Sequence, residues 1–117
     1  MGEKICVSLQ LGPDNTLHLS QKDWILGRKD NFLAATARAE EEKLLPLAQE
    51  VAGTLSKTHA RIRYAAGGIF IEDMHSANGV FLNGLPLRPL HPAPLAPGDR
   101  LRLGALQLTV ALMPCQE

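Results

Sequence analysis

The chain has 117 residues, of which 45% are hydrophobic, and its 12 lysines and arginines balance 12 aspartates and glutamates, so the formal net charge is zero. Zero net charge excludes a whole-molecule attraction to nucleic acid or to acidic membranes, and no apolar run reaches the roughly 20 residues that span a bilayer. These features predict one soluble, cytoplasmic domain over residues 1–117. Cys6 and Cys115 are expected to be two reduced thiols, with a bridge only if the first and last strands lie side by side.

Apolar and polar residues alternate through most of the chain, which is typical of half-buried strands. The alternation covers residues 5–11, 17–19, 60–64, 101–103 and 106–112, and short apolar runs at 24–26, 69–71 and 80–82 predict more fully buried strands. Turn signals separate these segments, and Asn83-Gly84 is a strong hairpin signal. Many short strands joined by turns predict an all-β sandwich or barrel.

Two segments depart from this rhythm. Residues 30–53 are rich in alanine and glutamate and predict a helical insertion, with a helix over about Phe32–Leu44 and a further turn or two from Pro46 to a stop at Gly53. The segment from Pro86 to Pro97 contains five prolines. Because proline cannot donate to a sheet ladder, this segment is predicted to be an edge strand or a loop.

Three residues on two predicted loops carry the chemistry of an anion site. Arg28 closes a strand, and its guanidinium offers five donors in a fork that matches two phosphate oxygens. Ser56 and Lys57 add a hydroxyl and an ammonium, which with the arginine can serve the three acceptor oxygens of a phosphoryl group. Each residue taken alone also fits a surface or turn position. Together they predict the capture of a phosphate carried by another protein.

The remaining polar residues predict loop support and not chemistry. His59 follows Ser56 by three residues, but no recognisable acid or oxyanion motif accompanies the pair, so we predict no catalytic residue and expect His59 to fix the loop. The Asn78 amide suits a grip on peptide backbone, and Asn83 is expected to shape a turn. The other histidines lack metal-ligand spacing and the aromatics are few, so no metal, cofactor or nucleic-acid partner is predicted.

Taken in order, these motifs resemble a forkhead-associated (FHA) domain, the phosphothreonine-recognition module. The matching motifs are Gly27-Arg28, Ser56-x-x-His59, Asn78-Gly79 with Asn83-Gly84, Pro97-Gly98-Asp99 and Leu103-Gly104. The resemblance implies a twisted β-sandwich of about eleven strands with its binding loops at one end. It also implies a non-enzymatic signalling domain that recruits a phosphothreonine-containing protein or peptide. The implied phosphopeptide contacts are Arg28, Ser56, Lys57 and Asn78, and the implied loop-supporting residues are Gly27, His59, Gly79 and Asn83.

The chain departs from the FHA pattern at two places. Ala77 stands where the family often has a threonine or serine that helps to meet the phosphothreonine. The insertion carries Glu40-Glu41-Glu42, which would favour basic ligand flanks if it lay near the pocket and would otherwise be a solvated helix face. These departures leave an alternative open, a scaffold that keeps the fold and binds a partner without phosphate. The sequence does not fix the oligomeric state.

Overall fold

A computed structural model describes residues 4–37 and 41–115, which form twelve strands and one short helix. In chain order they are β1 Ile5–Gly12, β2 Asn15–Leu19, β3 Trp24–Lys29, β4 Phe32–Ala37, β5 Glu41–Pro46, α1 Gln49–Ala52, β6 Ala60–Ala65, β7 Gly68–Asp73, β8 Val80–Leu82, β9 Leu85–Pro86, β10 Ala93–Pro94, β11 Arg100–Leu103 and β12 Leu106–Pro114. Among these residues no helix has the length and hydrophobicity to cross a membrane.

The strands form two antiparallel sheets of six strands each. The first sheet has the order β2-β1-β12-β11-β8-β9, and the second has the order β10-β7-β6-β3-β4-β5. The predicted all-β sandwich is therefore confirmed. The proline-rich segment contributes only β9 and β10, which are two-residue strands at the edge of a sheet, as its missing backbone donors require.

The alternation of the strands produces the core between the sheets. The inward-facing apolar residues are almost completely buried, and the largest are Trp24, Leu9, Leu19, Leu26, Leu33, Ile62, Ile71, Leu101 and Leu103. Each such side chain stabilises the fold by about 1.5–3 kcal/mol relative to exposure. This rigid sandwich carries the loops that connect the strands at its ends.

The prediction of a helix over Phe32–Leu44 was wrong, because β4 and β5 occupy that segment as part of the second sheet. Leu33, Ala35 and Ala37 point inward and are buried, which is a period of two and not of 3.6. Alanine has a high helix propensity, but propensity is a weak preference that packing against β3 overrides here. The helical content of the segment is the four-residue α1, which ends at Gly53.

Cys6 and Cys115 are joined by a disulfide, with their Cα atoms 4.9 Å apart. The expectation of two reduced thiols was therefore wrong. β1 and β12 are neighbouring antiparallel strands with Cys6 opposite Met113, and the Cys115 N–H donates to the Lys4 carbonyl at 2.9 Å. This pairing brings the two ends of the chain together, which the separation of 109 residues in sequence does not reveal.

Candidate functional site

Arg28 lies at the end of β3, next to the loop that follows α1. Its backbone N–H donates to the Ser56 carbonyl at 3.0 Å, so the strand and the loop are joined directly. The side chain is half-buried, and its guanidinium has no hydrogen bond or ion pair among residues 4–37 and 41–115. A desolvated cation without an internal partner is suited to hold an external anion.

The close approach of this loop to β3 depends on Gly27. A Cβ atom built at Gly27 would lie 1.8 Å from the Lys57 carbonyl oxygen, far inside van der Waals contact. Any side chain at this position would force the Ser56–Lys57 segment away from Arg28. Gly27 therefore sets the distance between the two parts of the site.

Ser56 and Lys57 present donors beside Arg28. The Ser56 Oγ accepts a hydrogen bond from the Ala77 N–H at 2.9 Å. Because that bond uses a lone pair, the hydroxyl proton remains available for donation to another acceptor. Lys57 is exposed, and its ammonium has no partner within the described part of the chain.

His59 connects the loop that carries Ser56 to the loop between β7 and β8. It is completely buried, and its Nδ1 accepts from the Ser56 N–H at 2.9 Å while its Nε2 lies 2.7 Å from the Gly79 carbonyl oxygen. An acceptor at Nδ1 requires the neutral tautomer with the proton on Nε2, which donates to Gly79. Both ring nitrogens are thus engaged by backbone groups, and neither is placed to remove a proton from the Ser56 Oγ.

Asn78 is exposed on the β7–β8 loop. Its Nδ2 donates to the Thr54 carbonyl at 2.8 Å, which leaves Oδ1 and a second amide proton without a partner in the structure. The Gly79 carbonyl next to it also accepts from the Gly104 N–H at 3.0 Å, so the β11–β12 turn joins the same end of the sandwich. The amide of Asn78 is therefore fixed in place and still able to pair with a peptide group.

Asn83 lies outside the group of residues around Arg28. It has a φ of +52° in the β8–β9 turn, its Oδ1 accepts from the Arg100 N–H at 2.9 Å, and its Nδ2 lies 3.1 Å from a carboxylate oxygen of Asp99. These bonds connect two turns at the end of β8 that is opposite Gly79. The structure brings Arg28, Ser56, Lys57 and Asn78 together, whereas Asn83 holds a different part of the scaffold.

Thr54 and Asp73 were not identified as site residues from the sequence, yet each holds a loop of this site. The Thr54 Oγ1 donates to the Val51 carbonyl at 2.6 Å and accepts from the Ala105 N–H at 2.9 Å. The Asp73 side chain is buried and accepts from the Ser76 N–H at 3.0 Å. The spacing of an aspartate three residues before a serine at the end of a strand is a turn signal that could have indicated the second role.

The acidic run of the predicted insertion does not lie on a helix. Glu40 is outside the described residues, and the Glu42 carboxylate pairs with the Lys29 ammonium at 2.9 Å. The hydrogen bond and charge of Glu42 raise the pKa of Lys29. Glu42 is therefore neutralised by a neighbouring lysine, and within the described residues neither Arg28 nor Lys57 has a carboxylate partner.

No cluster of three metal-ligating side chains occurs in the two stretches that the structure describes. The site offers hydrogen-bond donors with positive charge, one oriented hydroxyl and one amide. Such a set binds an anion together with a peptide backbone.

Comparison of the sequence and comparison of the fold with known proteins both lead to the FHA domain. The family model of the FHA domain matches residues 24–104. Protein FraH from Nostoc sp. (strain PCC 7120 / SAG 25.82 / UTEX 2576) is 43% identical over 58 residues, which are 50% of this chain but only 20% of that protein. The chain thus spans about a fifth of the curated relative it matches.

Solved structures with the same fold include FHA domains in complexes. A domain from a study of phosphothreonine-dependent FHA domain interactions has a TM-score of 0.68 and 28% identity, covering 94% of this chain and 99% of its own. The FhaA FHA domain, complexed with the intracellular domain of Rv3910, has a TM-score of 0.62 and 25% identity, with coverages of 92% and 99%. Since the family model covers more than half of the chain, this protein belongs to the FHA domain family, whose members are interaction modules.

Proposed function

We propose that this domain binds a phosphothreonine-containing segment of another protein and thereby recruits phosphorylated partners in signalling. The observation that carries the proposal is the convergence of Arg28, Ser56 and Lys57 on adjoining segments, with no carboxylate paired to either cation in the described residues. An uncompensated group of donors is the arrangement that a dianionic phosphate requires.

Each residue has a distinct part in the proposed complex. The Arg28 guanidinium pairs with two phosphate oxygens through its fork of N–H donors. The Ser56 hydroxyl, which accepts a hydrogen bond from the Ala77 N–H, donates to the third phosphate oxygen, and Lys57 adds a mobile positive charge. The Oδ1 of Asn78 accepts from a backbone N–H of the ligand, and the bond from its Nδ2 to the Thr54 carbonyl holds the amide in place.

One of the similar structures supports a protein partner. The FhaA FHA domain is complexed with a protein domain. We transfer to this chain only the class of ligand, a phosphorylated polypeptide, and not the identity of any partner.

The test is binding to a degenerate phosphothreonine peptide library, with phosphoserine and unphosphorylated libraries beside it. We expect selective capture of phosphothreonine, and Arg28→Ala should weaken it by about 2–5 kcal/mol, as truncation of one partner of a desolvated charge pair does. Arg61→Ala is the matched control, because Arg61 lies in the same sheet but is paired with Asp23 at 2.8 Å; it should bind normally. Equal capture by Arg28→Ala and the native protein would exclude the proposal.

A phosphate-independent scaffold is the second candidate, and Ala77 favours it. This residue is exposed at the site and offers its backbone N–H to Ser56 but no hydroxyl. A folded sample that captures no phosphopeptide, and binds its partner equally before and after phosphatase treatment, would support this candidate over the first.

A further inference from the structure

The outer face of the first sheet contains a groove of about 640 Å³ that the proposed phosphate site does not include. Outward-facing residues of three adjacent strands line it, namely Gln10, Thr109, Gln107, Arg100 and Arg102. The two arginines are two positions apart on β11, so both side chains leave the same face with a spacing of roughly 7 Å. These side chains form a polar, positively charged strip along the groove, beside the apolar Leu11 and Pro13.

Arg102 is held in position within this groove. Its guanidinium carbon lies 3.9 Å from the centroid of the Phe81 ring, and its Nη1 donates to the Gly104 carbonyl at 2.8 Å. Stacking on an aromatic face and one fixed hydrogen bond leave the other guanidinium donors free. Arg102 therefore presents an oriented fork and not a mobile cation.

Neither arginine has an acidic partner anywhere in residues 4–37 and 41–115. Asp99 is next to Arg100 in sequence, but its two carboxylate oxygens accept from Asn83 Nδ2 and from the Ala96 N–H. Because both donors to Asp99 are neutral, its negative charge remains, and the two arginines outnumber it, which leaves a net positive charge for an external anion.

Arg102 links the groove to the end of the sandwich that carries the proposed phosphate site. Gly104 accepts the bond from Arg102, and its own N–H donates to the Gly79 carbonyl beside Asn78. From Gly104 to Arg100 is four residues of chain, a distance of roughly 13 Å along the strand. An extended ligand segment covers it with about four residues, since each residue spans at most about 3.3–3.6 Å.

We propose that the groove binds an acidic segment of the same polypeptide that carries the phosphothreonine, with aspartate or glutamate side chains on Arg100 and Arg102. This inference rests on the proposed phosphopeptide function and adds a second contact to it. Two arginines with neighbouring amides and a hydroxyl match a short acidic peptide. A nucleic acid would call for more cations and for free aromatic faces, whereas Phe81 is covered by Arg102.

The test uses three synthetic peptides measured by titration calorimetry. The first is a short phosphothreonine peptide, the second carries six alternating aspartates and glutamates on one side of it, and the third carries six glutamines there; a second pair places the tails on the other side. For the native domain we expect one acidic-tailed peptide to bind about three- to tenfold more tightly than its glutamine counterpart, because exposed charge pairs each contribute modestly.

The gain from the acidic tail should disappear in Arg100→Ala/Arg102→Ala, whereas affinity for the short peptide should stay within about twofold of the native value. Arg100→Ala alone keeps the Arg102 stack on Phe81 intact and should lose part of the gain. Arg61→Ala, from the opposite sheet, should retain all of it.

The outcomes separate the two proposals. If the short peptide binds but neither acidic tail improves binding, the groove proposal is overturned and the phosphopeptide function stands. If the tail improves binding equally in the double variant, the acidic contact lies elsewhere and the groove proposal is also overturned. If no phosphopeptide binds, both fail together. Tighter binding of a single-stranded oligonucleotide through the same arginines would reassign the groove to nucleic acid.

Discussion

The two sheets of the sandwich stabilise their exposed sides in different ways. On the second sheet, positive charges meet carboxylates: Lys29 with Glu42, Arg61 with Asp23, and Arg63 with Glu72. On the first sheet a covalent bond joins β1 to the segment after β12, while Arg100 and Arg102 have no acidic partner in the described chain. Arg28, although it belongs to the second sheet, is also unpaired.

In a domain of zero net charge, this difference indicates which cations are available for function. Paired cations are satisfied inside the protein, so their removal is felt as lost stability. Unpaired cations contribute little to stability, because a solvated charge needs no partner, and their removal is felt as lost binding. The pattern of pairing therefore separates scaffold from candidate site more clearly than the number of charges does.

The Cys6–Cys115 disulfide of the first sheet predicts the largest effect on stability. Cys6→Ser/Cys115→Ser should lower the free energy of unfolding by about 2–5 kcal/mol, because the bond closes nearly the whole chain and restricts the unfolded state. Chemical denaturation of the native and double-serine proteins, each with and without dithiothreitol, measures it. The reductant should destabilise only the native protein. Equal stability of native and double-serine proteins under oxidising conditions would show that strand pairing alone holds the ends.

The Arg63–Glu72 pair of the second sheet, in which only the carboxylate is buried, predicts the next effect. The Glu72 side chain is only 8% exposed, its Oε1 has no hydrogen-bond partner among the described residues, and Arg63 Nη1 lies 3.5 Å away. Arg63→Ala should cost about 1–3 kcal/mol of stability, because it leaves a buried carboxylate uncompensated while the arginine itself is partly solvated. Phosphopeptide binding should not change.

Arg100→Ala is the matched control for Arg63→Ala, since it removes an arginine that has no carboxylate partner. Its free energy of unfolding should stay within about 0.5 kcal/mol of the native value. Glu72→Gln in the Arg63→Ala background should restore part of the loss by removing the unpaired charge. Equal destabilisation by Arg63→Ala and Arg100→Ala would remove the distinction between the sheets.

Much of the fold could be predicted because period-two alternation and turn signals are local. The hairpin at Asn83 was predicted from two residues, and β1 was predicted from the alternation of residues 5–11. The hairpin β4–β5 was missed because alanine fits a helix by propensity and fits this strand by size, lying buried between sheets at Ala35 and Ala37. Only the neighbouring strand decides between the two, and the local sequence does not contain it.

The candidate site could be predicted in part because its residues follow an ordered set of motifs. The contacts that depend on strand register could not be predicted from the sequence. Arg61 and Asp23 are 38 residues apart, and Asn78 and Thr54 are 24 apart. The charge balance of each face depends on such pairs, so neither the surplus at Arg100 nor the support from Thr54 follows from the sequence alone.

The two sheets are connected by hydrogen bonds of an uncharged side chain, Tyr64, and this connection predicts the smallest loss of stability. The Tyr64 hydroxyl on β6 accepts from the Val7 N–H at 2.9 Å and donates to the Leu19 carbonyl at 2.6 Å, both in the first sheet. Tyr64→Phe should cost about 1–2 kcal/mol, because it leaves the buried Val7 N–H without that partner. Thermal or chemical unfolding at neutral pH measures this loss.

The same tyrosine makes the connection depend on pH. Burial raises the pKa of Tyr64 above its ordinary value of 10.0, so the native state keeps the phenol proton at a pH where the unfolded chain releases it. The stability from this proton is complete below about pH 10 and is lost as the pH rises through the raised pKa. Because Tyr64 is the single tyrosine of the chain, phenolate absorbance reports it alone. Between pH 9 and 11 the native protein should lose more stability than Tyr64→Phe, in which only the other alkaline groups titrate. Parallel curves of stability against pH for the two proteins, together with a phenol that titrates at its ordinary pKa, would show that the hydroxyl does not hold the two sheets together.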